Sequence, residues 1–566
     1  MQRELIKTMN ENKTGTKEML LATKIFLVIL ICAIGSSRTK MPLLYIFPLL
    51  EVIVIFAITA LIAKRNKIVA YIFNSLMCLV VLMQQGILYY SGEYASEILL
   101  DNVESFSALG DSAIFFASLI IIVIIIALLP WRVPKWKIID SKIKFKCILL
   151  LAIIYMVVLG TMMSMTRVTA SPTFAFGDTV STMISSQLKV ARMRNSYDAG
   201  LNEKFYSEEI AQGIERDRAL PERPNIILLF VEGMSAEVID RYRPTEQVEG
   251  LVLTPNLNEF YDQSLVFENY TNHTAATYRG LWGQLFSGNI FQGGNTIDQM
   301  EAEEVGDVMK SNMIALPDVL SSSSYSTVMV NTEPGSYLFS AFVEELHFDK
   351  VVTDTTGPSL LSDKNAFELL YETIIDEEEP FFAAMYTVAT HHGFDSPDAK
   401  YGDGSDAMLN KFYNYDEQFG AFFEKFAESD LADNTIIVLT TDHATFPSPE
   451  YISTFNSNAR EFFGRIPLII YWKGATHEVV DANGRNSLCL TPTILDLVDI
   501  DNHPNYFLGK SLFVEDPDNL IDNIGAMGDI YLTSDETYPM EKIKNNDPKY
   551  REAIKLIEEY YTMTLW

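Results

Sequence analysis

The sequence is poor in cysteine, and its few cysteines are scattered. Of four, Cys32, Cys78 and Cys147 fall in or beside long apolar segments, and Cys489 alone belongs to the polar part of the chain. That part therefore has no disulfide framework. An extracellular domain of this size without disulfides suits a bacterium that lacks an oxidising periplasm. There is no internal repeat and no low-complexity segment. No small-residue cleavage site follows the first apolar segment, so nothing marks it as a removable signal peptide. Positive charge is scarce beyond residue 164: residues 1–164 carry a net +6 and the remainder a net −37. So acidic a surface excludes nucleic acid as a partner and favours divalent cations near an anionic cell surface.

At 566 residues the chain is too long for one domain. Apolar runs near 19–37, 42–63, 67–90, 112–131 and 146–164 each approach the length of about 20 residues that a bilayer requires. These runs make residues 1–164 a membrane domain of five transmembrane helices. The connecting charges alternate. Arg3, Lys7, Lys13 and Lys17 precede the first run, and Lys64, Arg65 and Lys67 lie between the second and third. Arg132, Lys135, Lys137, Lys142, Lys144 and Lys146 lie between the fourth and fifth. The 91–111 loop carries Glu93, Glu97, Asp101, Glu104 and Asp111 and no basic residue. By the positive-inside rule the N-terminus is cytoplasmic and everything after about residue 165 is outside. Only Arg38 and Lys40 run against this.

Residues 165–222 read as linker helices, with helical patches around 180–195 and 204–216, and Pro221 and Pro224 mark their end. Residues 223–566 form an extracellular domain. Strand-like runs at 225–231, 264–268, 325–331, 381–388, 434–440 and 466–471 alternate there with helical stretches. The latter lie at 254–263, 278–287, 314–321, 364–375, 406–427 and 490–498. That alternation implies an α/β domain with a mostly parallel central sheet.

Four pieces of this domain carry chemistry. The apolar run 225–231 delivers Glu232 at its C-terminal tip, and 434–440 ends shortly before Asp442 and His443. Ligands sit at the carboxyl ends of parallel strands, and two acids with a histidine there suggest a divalent metal site. Either strand alone could equally end in a solvated loop. The segment Asn272–Gly288 follows a strand and places hydroxyls just ahead of a helix. Such a hydroxyl can act as a nucleophile where free N–H groups bind phosphate, although a helix N-cap is its commoner use. Three of the seven histidines, His391, His392 and His443, follow strands. A histidine pair beside a carboxylate site can ligate metal, hold a phosphate oxygen or protonate a leaving group.

These residues resemble the lipoteichoic acid synthase group of the alkaline phosphatase/sulfatase superfamily. The likeness rests on Glu232, a threonine at a helix start, His391-His392-Gly393-Phe394 and Asp442-His443. The tail Ser487–Val498 with Gly509-Lys510-Ser511-Leu512-Phe513, and the five spans before an outer domain, extend it over the whole chain. The resemblance implies that Glu232, the nucleophilic threonine, Asp442 and His443 bind one divalent metal, Mn2+ in the first place with Mg2+ or Zn2+ as alternatives. Thr277-Tyr278-Arg279-Gly280-Leu281 matches the Thr-x-basic-Gly-Leu of many relatives, so Thr277 is the nucleophile and Thr274 the reserve. His391 would hold the substrate phosphate, with His392 as the alternative. The chain departs from the family in one respect: Asn331–Ser340 lacks the substrate-binding arginine. Arg279 is then the candidate to supply that charge.

The reaction expected is a double displacement. Threonine attacks the phosphorus of a phospholipid headgroup, diacylglycerol leaves, and an acceptor hydroxyl displaces the phosphothreonine. Phosphoglycerol transfer from phosphatidylglycerol to a cell-surface polymer or glycan is the first reading, and phosphoethanolamine transfer is the second. A hydrolase of the sulfatase or phosphatase type ranks below both, because the nucleophile segment has no cysteine to become formylglycine. The expected location is the cell membrane of a Gram-positive-type bacterium, multi-pass, with the catalytic domain extracellular.

Overall fold

A computed structural model describes residues 2–37, 39, 43–92, 94–95, 112–130, 141–166, 170–195, 197–198, 200–214, 220–243, 248, 250–291, 312–459, 462–516, 519–534, 540–544 and 547–565. The chain divides into two units, one of residues 1–100 with 105–185 and one of residues 186–566 with 101–104.

In the first unit, helices run over Gln2–Gly35, Leu43–Ile62, Lys67–Ser91, Ser112–Leu128 and Ser141–Thr166. Among the described residues, Leu43–Ile62 and Lys67–Ser91 are long and apolar enough to cross a membrane. Met19–Gly35, Ala117–Leu128 and Ala152–Thr161 are shorter apolar stretches. Asn66 starts the third helix by accepting from the Ile68 and Val69 N–H groups, and Gly92 ends it in the left-handed region at φ 84°. Buried Glu51 accepts from Tyr155 Oη at 2.8 Å, Ser171 Oγ at 2.5 Å and the Thr173 N–H at 3.0 Å, so its charge is well satisfied. Most of the 91–111 and 132–140 loops, whose charges set the expected orientation, lie outside the described residues.

The second unit is built on an eight-stranded sheet. In chain order the unit's strands are β1 Ser207–Glu209, β2 Asn225–Val231, β3 Leu265–Glu268, β4 Ser326–Asn331, β5 Lys350–Thr353, β6 Phe381–Thr387, β7 Thr435–Thr441, β8 Leu468–Trp472, β9 Glu478–Asp481, β10 Asn502–Asn505, β11 Ile524–Met527, β12 Ile530–Thr533 and β13 Glu541–Lys542. The order across the large sheet is β5-β4-β6-β2-β7-β8-β3-β9. All its pairings are parallel except those of β8, which runs against both β7 and β3. The apolar run of β2 has a direct cause. Ile226, Leu228 and Phe230 enter the core on one face, and Ile227, Leu229 and Val231 enter the core on the other. A strand buried on both faces needs an unbroken run of apolar, β-branched residues rather than an alternation.

The six expected strands and the six expected helices all form, with ends shifted by a few residues. Unanticipated are β5, β9, the small sheets, and helices at Tyr337–Glu344, Pro449–Thr454 and Arg551–Thr564. The linker reading also needs revision. The 180–195 patch lies inside the helix Pro172–Asn195, but among the described residues of 204–216 only the end of Gly200–Phe205 is helical. Beyond it β1 pairs antiparallel with β10, the Gly213 N–H donates to Asp496 Oδ2 at 2.8 Å, and Ile210 and Ile214 are buried. Residues 207–214 are thus stitched onto the second unit and do not act as a spacer. Short polar stretches such as Ser207-Glu208-Glu209 give no apolar signal of that pairing.

Candidate active site

β2 lies between β6 and β7, so three neighbouring parallel strands release their chain ends at one edge of the sheet. That edge is where a parallel sheet binds ligands. β2 ends at Glu232, β7 at Asp442-His443, and β6 runs out towards Thr390 and His391. The loops after β2 and β7 are locked together. The Ser235 N–H donates to Thr445 Oγ1 at 2.8 Å, the Thr445 N–H donates to Ser235 Oγ at 2.9 Å, and the Gly233 N–H donates to Asp442 Oδ1 at 2.9 Å.

Ligand atoms of Glu232, Asp442 and His443 all lie within 4.8 Å of one another, and all three residues are buried. His443 Nε2 is 3.7 Å from Glu232 Oε1 and 3.4 Å from Asp442 Oδ2. Its Nδ1 lies 2.8 Å from the Ala444 carbonyl. A carbonyl only accepts, so Nδ1 carries a proton and Nε2 is the ring nitrogen turned towards the carboxylates. Asp442 Oδ2 is buried and accepts no hydrogen bond among the described residues. Two buried carboxylates, a correctly turned imidazole and an orphaned carboxylate oxygen are a donor set that fits a divalent cation.

The electrostatics agree. Burial raises the Asp442 carboxyl, and the neighbouring Glu232 charge adds to this, lifting it to about 7. Glu232 is also opposed by burial, but the positive charge of His443 and His391 and the hydrogen bond from Tyr386 outweigh it and hold Glu232 below the usual carboxylate range. For His443 burial works against charge, yet the Asp442 and Glu232 carboxylates raise it.

The nucleophile segment meets this cluster. The helix Thr277–Phe286 starts at Thr277, and Thr277 Oγ1 donates to Glu232 Oε2 at 3.1 Å. The residue before it, Ala276, has φ 71° and ψ 150°. That costs a non-glycine residue about 1–3 kcal/mol and recurs where a side chain must be aimed. Gly280 lets the helix lie against β7's end: a Cβ there would stand 2.4 Å from the Asp442 carbonyl oxygen. Thr274 is equally buried, but its Oγ1 finds no partner among the described residues. Of the two threonines, Thr277 is the one hydrogen-bonded to Glu232.

His391 sits in the turn after β6. Its N–H donates to the Val388 carbonyl at 3.0 Å, its ring stands 5.2 Å from that of Phe394, and its charge bears on both Glu232 and His443. His392 packs instead on Phe446 at 4.4 Å, and a line of rings continues through Phe462 to His443. Arg279 is buried and donates from Nη2 to the Phe291 carbonyl at 3.0 Å.

Several site residues were not foreseen. Tyr386, paired with Phe230 across β6 and β2, donates to Glu232 Oε2 at 2.5 Å, and Thr390 Oγ1 donates to the Glu232 carbonyl at 2.6 Å. A tyrosine one residue from the end of an otherwise apolar strand was the available signal for the first.

Known proteins are similar to parts of this chain. Residues 224–500 match the sulfatase family. Over 330 residues the chain is 22% identical to lipoteichoic acid synthase 1 of Bacillus subtilis, covering 52% of this chain and 49% of that one. It therefore spans about half the length of that curated relative. The fold is also similar to the lipoteichoic acid synthase LtaP of Listeria monocytogenes, with TM-score 0.49 and 15% identity, covering 64% of this chain and 96% of that one. The lipooligosaccharide phosphoethanolamine transferase A of Neisseria meningitidis gives TM-score 0.46 and 12% identity, covering 77% and 85%.

Proposed function

We propose that this chain is a membrane-bound transferase moving phosphoglycerol from phosphatidylglycerol to a hydroxyl of a cell-surface polymer or glycan. The observation that carries the reading is Thr277 Oγ1 against Glu232 Oε2 at 3.1 Å, inside the cluster that fits a divalent cation. The likeness to a lipoteichoic acid synthase supports the choice of donor. In this reading the membrane unit crosses the bilayer five times and leaves the sulfatase domain outside, where lipid headgroups are presented at high local concentration.

Glu232, Asp442, His443 and Thr277 would hold the cation, for which Mn2+ is the first choice. When bound, it lowers the pKa of the threonine hydroxyl and offsets charge on the phosphoryl oxygens. Glu232 orients the Thr277 hydroxyl, and Tyr386 and Thr390 fix Glu232. With its proton already lost to solvent, the Thr277 Oγ alkoxide forms a bond to phosphorus as the bond from phosphorus to the diacylglycerol oxygen breaks, and His391 gives that oxygen its proton. The acceptor hydroxyl then passes its proton to His391 and takes the phosphorus, and the Thr277 Oγ–P bond breaks. The site is buried, which keeps water from competing for the intermediate.

Asn331–Ser340 has no arginine, and this keeps a second headgroup in view: phosphoethanolamine, transferred by the same steps. The test is release of diacylglycerol from labelled phosphatidylglycerol or phosphatidylethanolamine by the full chain in mixed micelles. Release from phosphatidylglycerol, abolished in Thr277→Ala with metal content unchanged, supports the reading. Release from phosphatidylethanolamine alone replaces the donor.

A further inference from the structure

The helix Ala407–Ala427 carries a lysine on its buried side. Lys411 is 4% exposed, and its Nζ donates to the His391 carbonyl at 3.1 Å. The same carbonyl also accepts from the Phe394 N–H at 3.1 Å, so the lysine pins the turn that presents His391. An ammonium has three protons to place. Among the described residues no second acceptor lies within hydrogen-bond distance, and the adjacent Phe412 ring, 4.9 Å away, offers only its face.

A lysine this deep is costly unless its charge is used. Holding a carbonyl needs no charge, because glutamine or a backbone N–H does it as well. Burial lowers the Lys411 ammonium to about 8, while the carboxylates of Glu232 and Glu450 work in the other direction. It is therefore still cationic at neutral pH, and its charge is felt at the Glu232 cluster. Arg279 donates to the Phe291 carbonyl, and Asn331–Ser340 has no basic residue.

We propose that Lys411 is a positioning residue for the substrate's phosphate anion. Through the His391 carbonyl it aims the imidazole, and its ammonium supplies the positive charge at the His391 edge of the site. The inference rests on the proposed function in one respect, that the group brought to Thr277 is a phosphate ester.

The test uses the full chain in detergent, loaded with Mn2+, and inorganic phosphate as probe. Broadening of the phosphorus-31 resonance by the bound cation reports phosphate at the site without any turnover. Lys411→Gln keeps a donor for the His391 carbonyl but removes the charge, and Lys411→Arg keeps both. We expect Lys411→Gln to need about tenfold more phosphate for the same broadening, the order expected for one partly screened charge. Lys411→Arg should stay close to wild type, with Mn2+ stoichiometry unchanged in both. In turnover of short-chain phosphatidylglycerol, Lys411→Gln should raise KM about tenfold with a smaller change in kcat. Lys411→Gln binding phosphate as tightly as wild type would show a mere staple and overturn the inference. Charge-dependent phosphate binding without diacylglycerol release by wild type would sink the proposed function and leave Lys411 its role. Release with charge-independent phosphate binding would do the reverse.

Discussion

Gly280→Ala tests how closely the nucleophile helix must approach the metal cluster. The added Cβ would stand 2.4 Å from the Asp442 carbonyl oxygen and 3.0 Å from its carbon, where ordinary contact begins at 3.4 Å. The helix must therefore retreat by about 1 Å, and Thr277 lies one turn earlier on it. Alanine in a helix gains up to about 1 kcal/mol over glycine. Overpacking costs about 1–3 kcal/mol, and loosening the Thr277–Glu232 hydrogen bond about 0.5–1.5 kcal/mol. The net loss is roughly 0.5–3.5 kcal/mol, centred on about 2 kcal/mol. A misplacement of about 1 Å at a reacting group, however, can lower the rate roughly a hundredfold. The substitution should thus leave a folded, metal-binding protein with a small drop in melting temperature and a large drop in diacylglycerol release. Gly177→Ala is the control, because a Cβ there meets nothing within 4 Å and should be neutral or slightly stabilising. Wild-type turnover in Gly280→Ala would refute the reasoning, since Thr277 could then not depend on that approach.

Tyr386→Phe removes the 2.5 Å hydrogen bond to the Glu232 carboxylate. Charge-assisted bonds of this kind are worth about 1.5–3 kcal/mol, so Mn2+ affinity should fall at least about tenfold by metal titration, and an unchanged affinity counts against the placement of Glu232. The metal-free protein should respond to pH in a particular direction. Burial and the Glu232 charge raise Asp442 to about 7, and His443 is raised by both carboxylates against the effect of burial. Groups raised in the folded state contribute stability below their unfolded values and lose it as pH climbs through the folded ones. Without metal the melting temperature should therefore fall as pH rises from about 4 to about 7, and less steeply in Asp442→Asn. A rise over that window, or no difference between the two proteins, contradicts this reading of Asp442.

Much of this arrangement was legible in the sequence, for reasons that can be named. β2, β6 and β7 are buried on both faces, so each is an apolar run, and a carboxylate or histidine at the end of such a run stands out. The helix bearing Thr277 was visible through its position between a strand and an amphipathic stretch. What stayed hidden depends on packing rather than pattern. β5 and β9 are short, partly exposed strands with no continuous apolar run. The pairing of β1 with β10 joins residues almost three hundred positions apart through polar backbone. Lys411 reads as an ordinary charge on an amphipathic helix until the turn at His391 folds over it. Arg279 looked free to meet an anion, and only the fold shows it turned to the Phe291 carbonyl.

The central claim is that Thr277 carries the transferred group. The most direct measurement is the mass and position of the covalent adduct. The full chain with Mn2+ is quenched in acid during turnover of labelled phosphatidylglycerol, and its peptides are mapped. The account predicts a phosphoglycerol adduct on Thr277 that disappears in Thr277→Ala. An adduct on Thr274, or continued diacylglycerol release by Thr277→Ala, would contradict it.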